Sequence, residues 1–185
     1  MKGQQAPRGY KTKEVKVIPV ALIEGLIWSV LWIIYVYILV TRFPWEMLHD
    51  YPEDIQKAST LPAPSDEQKK KAKIFSVLFS LVIFGALIVF GVLQYAGEKV
   101  SFPEIILFTF IIAMIWNVVD LVIMDWLIIC KLTAKWVVIE GTEGCRGYKD
   151  YMYHFRGFLI GCVYLVILAL IISGIDYLIL RFVVW

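Results

Sequence analysis

The chain has 185 residues, of which 60% are hydrophobic and 18% charged, against about 45–50% and about 25% in an ordinary soluble domain. A formal net charge of +2, with no basic stripe, excludes the electrostatic footprint of a nucleic-acid-binding protein. Three cysteines, Cys130, Cys145 and Cys162, with no C-x-x-C among them, give no disulfide framework.

The charges fall between long apolar runs. A helix needs roughly 20 apolar residues to cross roughly 30 Å of hydrocarbon. Residues 17–41, 74–96, 104–130 and 157–183 meet that length. The expected fold is all-α, a polytopic transmembrane bundle of four helices, with short interfacial helices or a small hairpin in the loops. Residues 1–185 are expected to form one integral membrane domain whose first partner is the lipid bilayer.

Span one follows a polar tail containing Lys2, Arg8, Lys11, Lys13 and Lys16. The tail resembles a positive leader, but the apolar run after it exceeds the roughly 7–15 residues of a signal peptide's core. Pro19 fits the first turn, where a missing N–H costs little. Trp28, Trp32 and Tyr35 are four and three residues apart and share one face. Arg42, Phe43, Pro44 and Trp45 close the span with an interfacial anchor and a helix stop.

The following loop is rich in proline and acids. Residues 46–59 read as a short amphipathic surface helix and residues 61–65 as an irregular linker. Lys69, Lys70, Lys71 and Lys73 read as a charge stop at the interface, able to touch anionic lipid. Span two carries Ser76, Ser80, Gly85 and Gly91, small residues that let helix backbones approach in lipid. Ser101 and Glu104 form a capping box, with Pro103 in the first turn of span three.

Span three carries the unusual chemistry, Asn117, Asp120 and Asp125. Ionisable groups within hydrocarbon cost about 2.5–3.5 kcal/mol each on insertion scales, so they face a bundle interior, water or a partner. On a regular helix Asn117 lies near the midplane, Asp120 about 5 Å beyond it and Asp125 about 12 Å towards the headgroups. The three cover an arc of about 140°, one broad polar face. Asp120 is the expected proton- or cation-responsive member and Asn117 its hydrogen-bonding partner. The competing structural reading is that both tie span three to its neighbours.

In the last loop, residues 135–139 are β-branched and read as a short strand, and residues 140–144 as a turn. Tyr148, Tyr151, Tyr153 and Phe155 suggest a surface helix at headgroup level. Gly157 and Gly161 form a G-x-x-x-G packing pattern in span four. Glu24 and Asp176 share a depth, roughly 8–9 Å from the midplane on the other side, and form a candidate acid pair if spans one and four touch. Glu140, Glu143 and His154 form a candidate loop site, with ligand types but no recognised metal spacing. No G-x-S-x-G or similar element accompanies either histidine, which argues against a hydrolase. No cofactor or metal signature is present.

With four spans, loops 42–73 and 131–156 lie on one side with eleven Lys and Arg. The tails and the short turn carry seven. The positive-inside rule makes those loops cytoplasmic, and the membrane the plasma membrane in a bacterial cell, although the basic tail beside span one argues the reverse. Three functions compete: a small transporter or channel-like protein using the span-three site and assembling as an oligomer, a scaffold or accessory subunit binding a membrane partner through its loops, and a lipid-binding or lipid-modifying enzyme with acids at the headgroups.

Overall fold

A computed structural model describes the backbone from Lys11 and the side chains from Val17 to the C-terminus. The basic side chains of Lys2, Arg8, Lys11, Lys13 and Lys16, which entered the sidedness count, lie outside the described residues. The described chain is 83% helical with no strand. Among the described residues, four helices are long and apolar enough to cross a membrane: Val17–Arg42, Asp66–Tyr95, Phe102–Leu132 and Tyr151–Val184. They are spans one to four of an all-α bundle.

Span three is the hub. Span one packs along one flank and span four along the other, while span two closes against spans one and four. Trp28, Ile83, Leu87, Phe108 and Ile112 are all buried in the shared core. Trp28 is the largest of these side chains, and its Nε1 donates to the Ile83 carbonyl at 2.9 Å. The outward faces are apolar too: Leu81, Leu93 and Tyr164 are each about two-thirds exposed. A helix that is apolar all round needs a non-aqueous surround, which a bilayer supplies.

Several expectations need correcting. Span one belongs to a helix that starts at Lys11, so Pro19 sits two turns inside it rather than in its first turn. Its ring removes one backbone bond, at an exposed position near the end of the apolar run. Span two begins at Asp66, not at residue 74. Ser65 and Gln68 cap it reciprocally, and Lys69 and Lys71 pair with Asp66 and Glu67 at 3.4 and 2.8 Å. The lysine cluster is therefore the first two turns of the helix. The capping box at Ser101 forms as expected, Ser101 N–H donating to Glu104 Oε2 at 2.7 Å. Span four begins at Tyr151, with Asp150 Oδ1 accepting from Tyr153 N–H at 2.9 Å. The tyrosine-rich surface helix is thus largely the opening of the span itself.

The strand expected at residues 135–139 is instead a single tight helical turn, Lys135–Val137. Its β-branched side chains have no strand to pair with, and they turn inward against the preceding loop. The two long loops join into one cap. Tyr51, Ile55, Ile139 and Tyr148 form its buried core. Tyr51 O–H donates to the Val137 carbonyl at 2.9 Å, and Asp54 Oδ2 accepts from Gly147 N–H at 2.8 Å.

A closed hydrogen-bond ring fixes the second loop. Ile139 N–H donates to the Tyr148 phenol at 2.9 Å, and the Thr142 hydroxyl donates to the Ile139 carbonyl at 2.7 Å. The Tyr148 hydroxyl therefore donates to Thr142 Oγ1 at 2.7 Å. Burial pushes the Tyr148 phenol up, an effect opposed in part by these two partners. A raised acid favours the folded cap below the ordinary tyrosine value of about 10, and that contribution is lost as pH rises beyond it. Tyr148→Phe leaves the buried Ile139 N–H without an acceptor and is expected to cost about 1–3 kcal/mol. Hydrogen exchange of the 135–150 loop checks it: protection should fall in the variant at neutral pH, and the wild type's own loss of protection above pH ~10 should shrink.

Candidate functional site

Beyond Val119 span three changes its winding. From Asp120 to Leu132 the helix is wide, with i→i+5 hydrogen bonds, a form that is rare and tends to mark functional positions. A wide helix holds more than 3.6 residues per turn, so the 140° arc does not hold past Asp120. The span ends at Thr133, a non-glycine residue at φ 45°. Lys149 secures that end: its Nζ donates to the Cys130 carbonyl at 2.7 Å and to Thr133 Oγ1 at 2.6 Å.

The three polar residues of span three line one cleft of about 640 Å³. Span three forms its back wall, with Trp32 and Val36 of span one on one side and Gly157, Ile160 and Gly161 of span four on the other. His49, Asp50, Tyr51 and Val137 of the cap border its outer end. Gly157, Ile160 and Arg156 are exposed along its mouth.

Asn117 is tied up by structure. Its Nδ2 donates to the Phe158 carbonyl at 3.3 Å and to Cys162 Sγ at 3.4 Å. A Cβ on Gly161 would lie 2.9 Å from Asn117 Oδ1. The second glycine of the G-x-x-x-G pattern thus makes room for the carboxamide of span three.

Asp120 behaves differently. It is half-buried, and among the described residues it has neither a hydrogen-bond donor nor a cation at ion-pair distance. Its carboxylate opens onto the cleft. Asp125, one turn nearer the cap, sits 3.0 Å from His154 Nδ1. The His154 side chain is 9% exposed, and its Nε2 has no partner. Trp32 and Trp116 pack edge to face at 4.7 Å in the cleft wall.

The candidate loop site is not assembled. Glu140 and Glu143 are exposed, while His154 turns into the bundle towards Asp125. Histidine at the opening of span four and aspartate at the end of span three occupy the same level, which sequence spacing does not reveal. The Glu24–Asp176 pair is not assembled either. Spans one and four lie on opposite flanks of span three, and no hydrogen bond joins the two acids. Among the described residues, Glu24 Oε2 and both oxygens of the wholly buried Asp176 have no hydrogen-bond partner. No group of three or more metal-ligating side chains forms among the described residues.

Fold and cleft together define a four-span α-helical membrane protein with an acid-lined pocket at its capped end. No protein-family model, curated protein or solved structure matches the chain.

Proposed function

We propose that the protein binds an organic cation in this cleft, as the ligand site of a small membrane carrier. The observation that carries the reading is Asp120, a half-buried carboxylate on a largely apolar cleft that lacks a partner among the described residues. A buried anion without a counter-charge is costly, and a cationic ligand offsets that cost directly. Asp125 adds a second carboxylate and is held in position by His154. Asn117 and Gly161, in close contact, hold spans three and four together at its deep end. The volume lies within the roughly 300–1,000 Å³ of small-molecule sites. The reading places the cap, with its lysine-rich helix extension, in the cytoplasm.

Octylammonium and octanol, titrated against the detergent-solubilised protein, provide the test. The tryptophans in the cleft wall give a fluorescence readout. Octylammonium is expected to bind saturably and octanol weakly. Asp120→Asn keeps the shape and removes the charge, so octylammonium affinity should fall roughly 10- to 100-fold, the equivalent of about 1.5–3 kcal/mol for a charge-assisted hydrogen bond. Octanol binding should not change. An unaltered octylammonium affinity in the variant would remove Asp120 from the site and the proposal with it.

A further inference from the structure

The cleft has an axial order that follows from its contacts. Asn117 meets Gly161 at the deep end, and Asp125 meets His154 at the outer end. Asp120 lies between these levels on span three. Arg156, two residues further into span four than His154, is exposed along the cleft's mouth. Among the described residues it is the one arginine or lysine lining the cleft, and no carboxylate lies within ion-pair distance of it.

One cleft therefore presents an unpaired carboxylate inside and an unpaired guanidinium at its rim, kept apart from each other. The other titratable groups facing it are His49 with Asp50, paired at 3.2 Å, the Asp125–His154 pair, and the phenols of Tyr51 and Tyr153, each donating to a backbone carbonyl. A half-buried carboxylate and an exposed guanidinium along one cleft are complemented by a ligand that carries both a cationic and an anionic group. Guanidinium favours phosphate, which it can bind with two parallel N–H bonds. An ammonium group supplies the N–H donors that Asp120 lacks.

We infer that the cleft takes a phosphoethanolamine unit, its ammonium at Asp120 and its phosphate at Arg156. This rests on the cation-binding reading above. Two sources carry that chemistry, the headgroup of an aminophospholipid and the free phosphodiester or monoester. The lipid enters sideways: Gly157 and Ile160 at the mouth are exposed on the apolar face of span four, Ile160 by 59%. Its phosphate then meets Arg156 at the mouth, its chains lie along the outside of span four, and its amine folds into the cleft.

The experiment compares four probes on the solubilised protein: dihexanoylphosphatidylethanolamine, dihexanoylphosphatidylglycerol, octylammonium and free phosphoethanolamine. Two-point recognition predicts that the ethanolamine lipid binds about tenfold tighter than either octylammonium or the glycerol lipid. Arg156→Gln should bring the ethanolamine lipid down to the octylammonium level while leaving octylammonium unchanged, which also shows that the variant is folded. Asp120→Asn should bring it down to the glycerol-lipid level. Free phosphoethanolamine binding as tightly as the lipid identifies a water-borne ligand of the same chemistry. Weaker binding identifies the lipid. If octylammonium binds but the ethanolamine lipid gains nothing over it, or if Arg156→Gln weakens both alike, the inference falls and cation binding stands. If no amine binds at all, cation binding itself falls.

Discussion

Trp28→Ala is expected to lower the thermal midpoint of the solubilised protein by roughly 6–12 °C. Trp28 is 1% exposed and joins three spans at once. Its ring meets Trp116 of span three edge to face at 5.2 Å, and its Nε1 donates to span two at 2.9 Å. Truncating a large buried side chain costs about 3–5 kcal/mol in a water-soluble core. Lipid tails are as apolar as the core they replace, so the transfer part is smaller in a membrane, and packing and the hydrogen bond remain. The low end, about 3 kcal/mol, converts to that shift at about 2–4 °C per kcal/mol. Trp28→Phe keeps most of the packing and loses the donor, so it should sit nearer 1 kcal/mol. Heating followed by size-exclusion chromatography reads both. A midpoint unchanged in Trp28→Ala would show that the aromatic junction does not hold the spans together.

Gly91→Val is expected to be as damaging, through excess volume rather than a void. Gly91 of span two faces Asp176 of span four so closely that a Cβ would overlap the carboxylate. Asp176 is wholly buried, so its carboxylate can turn aside only by displacing packed neighbours. Either those neighbours move or the two helices separate. Over-packing costs about 1–3 kcal/mol and sometimes more, and overlap with a wholly buried carboxylate puts this case at about 3 kcal/mol. The cause is checked by a compensating change. Adding Asp176→Ala to Gly91→Ala should restore most of the midpoint lost in Gly91→Ala alone, since the neighbours couple through a single contact. Two independent losses that simply add would refute the steric account.

The architecture was legible because the bilayer imposes it. Long apolar runs with charge confined between them admit few alternatives, and all four spans appear within a few residues at most of their ends. The errors lie at the ends, where water returns and local chemistry decides. Ser65 and Gln68 make a capping pattern as plain as that of Ser101 and Glu104, and reading it would have started span two at Asp66. Asp150 likewise caps span four. The polar face of span three was legible as residues but not as geometry. Whether Asn117 is a clamp and Asp120 an open group depends on what span four presents opposite, Phe158, Gly161 and Cys162. Nothing local in the sequence sets that register. The Asp125–His154 contact depends on the same register and on the wide winding after Val119, for which the sequence carries no marker.

The cap has a consequence for how the chain is made. Tyr51 and Val137, bonded in the finished protein, are separated by 86 residues, with spans two and three between them. During synthesis the N-terminal half is delivered first, so Ile55 and Tyr51 wait beside the membrane with their apolar surface bare until span three has crossed back. Ile139 and Tyr148 reach that same side only when spans two and three both cross. A chain with span two inverted or skipped leaves the two half-caps on opposite faces, each sticky and unpartnered. The cap is thus a long-range contact that depends on two intervening membrane crossings, since neither loop can bury its apolar side chains alone.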